Sequence, residues 1–236
     1  MEKQTKKGKK KLNSNINYWD AVVAEKRPLL KELLRREVNS IEYYGDVRGT
    51  IVDIGCGSGR LYGIIPTHES INLIGFDFDK NALKIYSQKI SKDINAKPIL
   101  IQGTAVKLPF LDESIHFCIL SMSLVNFGKD KLKALKEIER VLIPGHFAVI
   151  STYSEDSLEE RLKIYNKYNV EIKHIDKATA SVTFSHGLGT SDGISIEQMQ
   201  SLSKKAKLGI IEIKIVKGIG YVYVLKKPIK EASVTK

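Results

Sequence analysis

The chain has 236 residues, which is enough for one domain with a sizeable core and does not require a second. Hydrophobic residues make up 42% and charged residues 28%, which is typical of a soluble globular protein and excludes a disordered chain. The net charge of +11 lies mostly at the two ends: residues 1–12 hold six lysines against one glutamate, and residues 226–236 hold four against one. Residues 13–225 carry only +3, so the charge favours at most an auxiliary contact with a polyanion.

Several classes of protein are excluded by what the sequence lacks. Two cysteines exclude a disulfide scaffold and a Cys-rich zinc site, and they favour a reducing compartment, so we expect a cytoplasmic protein. No apolar run approaches the roughly 18 residues that span a bilayer, so no membrane partner is expected. The five histidines are scattered without an H-x-x-x-H pair, and we expect no metal site. The sequence does not indicate an oligomeric state.

Both ends of the chain are predicted to lie outside the folded body. Residues 1–14 are Lys-rich and aperiodic, which predicts a disordered basic arm, and residues 226–236 form a second basic tail. Residues 15–44 carry apolar side chains at helical spacing, which predicts helices that pack on the body or serve as an N-terminal lid.

The centre of the chain alternates between short β-branched runs and amphipathic stretches. Strands are predicted at 50–54, 72–77, 99–103, 115–121 and 146–152, and helices at 58–65, 79–92 and 129–142. This βαβ alternation predicts an α/β fold with a parallel, doubly wound sheet covered by helices. Residues 153–194 interrupt the alternation. A helix at 196–206 then leads into two strands that predict an antiparallel hairpin at the sheet edge.

The strongest local motif is VDIGCGSGR, in which a strand containing Asp53 is followed by Gly55, Gly57 and Gly59. Glycines at a strand-to-helix turn let the backbone bend sharply and let a ligand approach closely. A dinucleotide fingerprint would need glycine where Arg60 stands, and the G-K-[ST] of a P-loop is absent. The motif therefore favours a different nucleotide-like ligand, and the alternative is a tight turn without one.

A second motif, GFDFD, ends the next predicted strand. Asp77 lies 22 residues after Gly55, close to the spacing at which a carboxylate meets ribose hydroxyls. The neighbouring Phe78 could cover an adenine face. The alternative interpretation is a surface strand end that merely tolerates aspartate.

Together with GTAVKLPFLDESIHFCILS and LKEIERVLIPGHFAVIS, these motifs resemble the class I S-adenosylmethionine-dependent methyltransferases of the type 11 domain family. The resemblance implies a Rossmann-like, seven-stranded sheet, S-adenosyl-L-methionine as the cofactor and a single methyltransferase domain over 15–225. Its cofactor-binding core would be 50–151, and 153–194 would be a substrate-side insert.

The resemblance also implies roles for particular residues. Those expected to contact the cofactor are Asp53, Gly55, Cys56, Gly57 and Gly59 at the methionine part, Asp77 at the ribose, Phe78, Thr104 and Ala105 at the adenine, and Ser121 and Met122 near the methyl group. The family usually has aspartate where Thr104 and His116 stand and glycine where His146 stands. The loss of charge at Thr104 weakens the expected contact with adenine there.

The methyl acceptor is less clear from the sequence. The segment SMSLVNF (121–127) lacks the N-P-P-Y type of motif that grips a flat amino group, and its apolar residues indicate a small-molecule acceptor. Candidate catalytic residues are His186, as a general base, and Tyr153 and Asn126, as polar groups that orient the acceptor. Two alternatives stay open. One is a tRNA or rRNA methyltransferase that grips RNA through the lysine arm. The other is a non-catalytic cofactor-binding partner protein.

Overall fold

The computed structural model describes residues 27–45, 48–65, 70–91, 98–185 and 189–229. The predicted arm 1–14, the first part of the predicted lid, the candidate base His186 and the end of the basic tail lie outside these residues. The described helices are α1 (Pro28–Tyr44), α2 (Lys80–Ile90), α3 (Lys131–Val141), α4 (Leu158–Lys167) and α5 (Ile196–Lys205). The described strands are β1 (Gly49–Ile54), β2 (Ile71–Asp77), β3 (Ile99–Gln102), β4 (Ile115–Leu120), β5 (Leu142–Tyr153), β6 (Ile172–Asp176), β7 (Ser181–Phe184), β8 (Thr190–Ser191), β9 (Gly209–Val216) and β10 (Gly220–Lys226).

The main sheet has seven strands in the order β3-β2-β1-β4-β5-β10-β9. The pairs from β3 to β5 are all parallel, whereas β10 runs antiparallel to both β5 and β9. This confirms the predicted α/β, doubly wound, Rossmann-like sheet with an antiparallel C-terminal hairpin and helices around it. The strand order reverses between β1 and β4, and open α/β sheets bind ligands at the carboxyl ends of strands at such a point.

The central strands are buried on both faces, which explains their nearly unbroken apolar sequences. Residues 117–120 of β4 are 0% exposed, as are Ile51 and Ile54 of β1. Helix α1 lies against β5, β9 and β10 and buries Leu30 and Leu33 completely. Burial of each large aliphatic side chain stabilises the fold by about 1.5–3 kcal/mol, so this contact fixes α1 to the sheet.

One predicted element is wrong. The sequence pattern predicts a helix over 58–65, but the structure has consecutive turns there. Gly59 and Gly63 adopt φ angles of +76° and +85°, which an α-helix does not permit. The turns are closed instead by local bonds, such as that from the Gly59 N–H to the Cys56 carbonyl oxygen at 3.0 Å.

Residues 153–194 form a small unit at the carboxyl end of β5. After α4, the strands β6, β7 and β8 make a three-stranded antiparallel sheet. The buried Arg161 of α4 donates to the Ser191 carbonyl oxygen at 2.8 Å, which ties α4 to β8. The Asp192 N–H donates to the Val125 carbonyl oxygen at 2.9 Å, so the unit is anchored beside the segment that follows β4. None of the described helices is long and apolar enough to cross a bilayer.

Candidate functional site

The glycine loop joins β1 to the turns at 58–65. Gly55, Gly57 and Gly59 have φ angles of +75°, +54° and +76°, all in the left-handed region that favours glycine. A Cβ on Gly55 would lie 2.2 Å from the Ser123 hydroxyl oxygen, and one on Gly59 would lie 2.3 Å from the Tyr86 ring. The three glycines are therefore required by backbone conformation, and at two of them also by close packing.

The carboxylate of Asp77 at the end of β2 fixes this loop. Its Oδ2 accepts the N–H of Gly57 and its Oδ1 accepts the N–H of Asp79, both at 2.8 Å. The residue is 7% exposed, and burial raises the pKa of this carboxyl against the opposing effect of the backbone N–H groups of Asp79, Gly57 and Phe78. A carboxylate has about four acceptor sites, so Asp77 can hold the loop and still accept hydrogen bonds from a ligand.

The predicted adenine-side residues lie at the ends of β2 and β3. The Gly103 N–H donates to the Asp77 carbonyl oxygen at 2.9 Å, which brings the segments after the two strands together. The side chain of Phe78 is 75% exposed, which is unusual for so large an apolar group. Thr104 is exposed and Ala105 is half-buried. The structure thus brings Phe78 next to the edge that carries Thr104 and Ala105.

Asp53 occupies the end of β1 and is almost fully enclosed. It is 3% exposed, and its Oδ1 has no hydrogen-bond partner among the described residues. Burial raises the pKa of Asp53 to about 7, with Arg60 opposing the rise and Glu37 and Asp77 adding to it. Buried polar atoms are nearly always paired in folded proteins, so an unpaired acceptor beside a glycine loop indicates a ligand contact.

The end of β4 is held by contacts that the sequence analysis did not identify. Met122 has a φ of +52°, which is uncommon for a residue other than glycine. Its N–H donates to the Ser151 hydroxyl at 2.9 Å. The guanidinium of Arg60 contacts the hydroxyl of Ser121 and the carboxylate of Glu37. The predicted residues Ser121 and Met122 therefore lie beside the glycine loop, together with the unpredicted pair Glu37–Arg60.

Glu37 could have been suspected from its position. It follows Leu30 and Leu33 on the stripe that α1 buries, with Ile41 next, and it is 0% exposed. An acidic residue on a buried helical stripe needs a partner. Local sequence does not reveal that this partner is Arg60, because the two residues lie on separate elements.

The structure describes two of the three catalytic candidates, and they differ in burial and contacts. Tyr153 is 3% exposed, and the Arg161 guanidinium lies 5.1 Å from the centre of its ring. Asn126 is half-buried, and its Oδ1 has no hydrogen-bond partner in the described part of the chain. His186 lies outside the described residues. Tyr153 and Asn126 both lie on the side of the site where residues 153–194 meet the core. Neither of them is assigned as a general base.

Thiol and metal chemistry would require a reactive cysteine or a cluster of ligating side chains. Cys56 is buried within the glycine loop, and its thiol lies 3.7 Å from the Gly57 carbonyl oxygen, which it can reach as a weak donor. Within the ranges that the structure describes, no group of three or more His, Cys, Asp or Glu side chains could hold a metal ion.

Comparison with known proteins gives a consistent result for the core. Residues 52–150 match the model of a family described as a methyltransferase domain. Demethylmenaquinone methyltransferase of Staphylococcus aureus is 34% identical over 122 residues, which are 50% of this chain and 48% of that protein. The chain thus matches about half the length of these curated relatives.

Solved structures share the fold at low sequence identity. An S-adenosylmethionine-dependent methyltransferase from Methanosarcina mazei is 19% identical with a TM-score of 0.64, over 80% of this chain and 97% of that one. The 1,6-didemethyltoxoflavin-N1-methyltransferase of Burkholderia thailandensis, solved with its substrate and S-adenosylhomocysteine, is 11% identical with a TM-score of 0.62. That match covers 84% of this chain and 79% of the other. At such identities the likeness shows the fold.

Proposed function

We propose that this chain, whose residues 52–150 match the model of a methyltransferase domain, is a class I S-adenosylmethionine-dependent enzyme that transfers a methyl group from S-adenosyl-L-methionine to a small-molecule acceptor. The observation that carries the proposal is the unpaired, buried Oδ1 of Asp53 beside three left-handed glycines. The carboxylate oxygen can accept a hydrogen bond from a cationic group, and the glycine backbone lets a ligand approach closely.

The residues present fit the cofactor along its whole length. Asp53 offers a carboxylate oxygen to the α-ammonium group, and the Asp77 carboxylate, held by Gly57 and Asp79, offers its remaining lone pairs to the ribose hydroxyls. The exposed ring of Phe78 suits an adenine face. When bound, S-adenosyl-L-methionine supplies an electrophilic methyl group that already carries its leaving group.

The chain's own task is then to bind, to align and to exclude water. Ser121 and Met122 would border the methyl group, because they directly follow β4 and Ser121 contacts Arg60, the residue after the last glycine of the loop. The unpaired Oδ1 of Asn126 would accept a hydrogen bond from the acceptor molecule and orient it. Such a reaction does not need a catalytic triad, and a proton on the acceptor atom could leave through His186 or through solvent.

The small-molecule acceptor is supported by the position of the insert. Residues 153–194 are anchored beside the end of β4, where they can cover an acceptor of limited size. The relative from Staphylococcus aureus is named a demethylmenaquinone methyltransferase, so its named acceptor is neither RNA nor protein, and this supports an acceptor that is not a macromolecule. Met122 and Leu124 both belong to the buried core, at 7% and 0% exposed, so the half-buried Phe127 and the insert are left to line an apolar mouth.

A labelled-methyl assay tests the proposal. The purified chain and S-adenosyl-L-methionine with a labelled methyl group are added to a cell extract, which is then separated into metabolites, RNA and protein. We expect the label in the metabolite fraction, and the variant Asp77→Asn is the matched control for label added by other enzymes. Label in RNA that disappears when residues 1–14 are deleted would favour the RNA alternative. Label in no fraction would favour the non-catalytic one.

A further inference from the structure

We propose that Glu37 is a positioning residue: from α1 it holds Arg60 so that the guanidinium can bind the carboxylate at the amino-acid end of the cofactor. The proposal deepens the function proposed above and rests on it. In this proposal, Glu37 itself does not contact the cofactor.

The burial of Glu37 requires an explanation. Its side chain is 0% exposed on a helix whose other buried residues are mainly apolar. Removing a carboxylate from water costs several kcal/mol unless partners compensate for the lost hydration. Glu42, the residue directly after Ile41 and on the outer side of α1, is exposed and carries no such cost. If packing were the only role of the side chain at position 37, a leucine there would fill the space at lower cost. The buried charge therefore points to a second role for Glu37.

Both oxygens of Glu37 are engaged, and they reach two different elements. Oε2 accepts from Nη2 of Arg60 at 2.5 Å, and Oε1 accepts from the Ser151 hydroxyl at 2.5 Å. The same hydroxyl accepts the Met122 N–H at 2.9 Å. One carboxylate thus links the glycine-loop side of the site to β5 and to the end of β4.

These contacts fix one end of the Arg60 side chain and leave the other end available. Nη2 is the atom that contacts both Glu37 and the Ser121 hydroxyl. Within the described ranges, Nε and Nη1 donate no hydrogen bond, and 24% of the side chain is exposed. A guanidinium has five N–H donors in a rigid plane and binds carboxylates well. Arg60 is therefore held in one orientation with donors to spare.

The charges around the site match an α-amino acid. The Oδ1 of Asp53 is an unpaired acceptor, and Arg60 is close enough to Asp53 to affect its pKa. Asp53 suits the ammonium group and Arg60 suits the carboxylate group of the same zwitterion. Without Glu37, the Ser121 hydroxyl alone would hold the guanidinium among the described residues, and the attraction between Arg60 and Asp53 would no longer be balanced. Glu37 thereby keeps the two opposite charges apart.

The test compares two ligands that differ in the amino-acid end. S-Adenosylhomocysteine carries this end, whereas 5′-methylthioadenosine has the adenine, ribose and sulfur without it. Calorimetry is carried out with the full chain and with Glu37→Gln, and Glu42→Gln is the matched control on the same helix. We expect Glu37→Gln to raise the Kd of S-adenosylhomocysteine at least tenfold, because one charge-assisted bond to Arg60 is lost. The Kd of 5′-methylthioadenosine should change by less than about twofold. Glu42→Gln should change neither.

Each other outcome overturns the proposal. An equal loss of affinity for both ligands would mean that Glu37 only stabilises the loop. Unchanged affinity for both ligands would mean that Glu37 does not act on the site. If Glu37→Gln does not fold, Arg60→Gln gives the same comparison, and it must show the same selective loss. Failure of the unaltered chain to bind S-adenosylhomocysteine at all would instead contradict the proposed function.

Discussion

Substitution of Asp77 by asparagine would separate two roles of one carboxylate. In the folded chain, Asp77 accepts the N–H groups of Gly57 and Asp79, each at 2.8 Å. An asparagine at this position has only one oxygen, so its NH₂ group must face one of the two backbone donors. The variant therefore loses a hydrogen bond inside the protein as well as the charge that we assign to the ribose.

The magnitudes of the two effects follow from burial. A buried donor left unpaired costs about 1–3 kcal/mol, and Asp77 is 7% exposed, so the free energy of unfolding should fall by about that amount. A hydrogen bond to a charged group contributes about 1.5–3 kcal/mol and a neutral one about 0.5–1.5 kcal/mol, so replacing the charge-assisted bond to the ribose with a neutral one costs about 1–1.5 kcal/mol, which is roughly a 5- to 13-fold increase in Kd. Burial also raises the pKa of Asp77, so the affinities should be compared at increasing pH and taken where they no longer change with pH.

The assay is calorimetric titration with S-adenosylhomocysteine, accompanied by urea unfolding of the free protein. Asp79→Asn is the control, because Asp79 caps α2 by accepting the Asn81 N–H at 2.8 Å and asparagine caps a helix equally well. This variant removes a neighbouring charge and should leave the affinity within about twofold. If Asp77→Asn binds as tightly as the unaltered chain, the ribose assignment is refuted.

The remaining predictions concern pH and the backbone. Because burial raises the pKa of Asp53 to about 7, cofactor affinity should fall up to tenfold for each pH unit below 7, and Asp53→Asn should bind weakly at every pH. Gly59→Ala should lower the free energy of unfolding by about 2–4 kcal/mol through steric overlap and a φ of +76°. Gly63→Ala, with a φ of +85° but open space around it, should cost only about 1–2 kcal/mol. His116 accepts the Thr50 N–H at 3.2 Å, and burial, aided by the adjacent His146, lowers its pKa. Folding therefore favours the neutral ring. The free energy of unfolding should fall as the pH decreases from about 6.5 through the lower pKa that His116 has in the folded state.

Each of these predictions has a measurement that can contradict it. Calorimetry between pH 6 and 8 tests Asp53, and an affinity independent of pH would exclude titration of this carboxyl on binding. Urea unfolding tests the glycines, and equal losses for Gly59→Ala and Gly63→Ala would mean that steric overlap at position 59 is absent. Unfolding of His116→Gln at pH 7.5 and at pH 5 tests the ring, and a pH dependence equal to that of the unaltered chain would remove His116 as its source.

The parts of the fold that the sequence predicts correctly are those determined by local pattern. The buried strands β1 and β4 have nearly unbroken apolar runs, and β9 alternates apolar and charged residues before the turn at Gly218 that leads to β10. The helix predicted at 58–65 is wrong because apolar spacing does not reveal the left-handed φ angles of Gly59 and Gly63. In the same region, the glycine motif correctly predicts a loop at the end of β1.

The site was only partly accessible to sequence reasoning, for a physical reason. Gly55 and Asp77 belong to short motifs whose spacing indicates a role. Glu37, in contrast, acquires its partners through folding: it meets Arg60 across 23 residues and Ser151 across 114. Contacts of this length depend on how α1 packs on the sheet, and no local pattern encodes them. The assignments of individual residues to the cofactor stay predictions.

Titration of the unaltered chain with S-adenosyl-L-methionine, and separately with NAD, tests the central claim most directly. Arg60 distinguishes the two ligands, because it stands where a dinucleotide site would need glycine. The account predicts that S-adenosyl-L-methionine binds one molecule per chain, that S-adenosylhomocysteine competes with it, and that NAD gives no heat of binding. Binding of NAD without binding of S-adenosyl-L-methionine, or binding of neither, would contradict it.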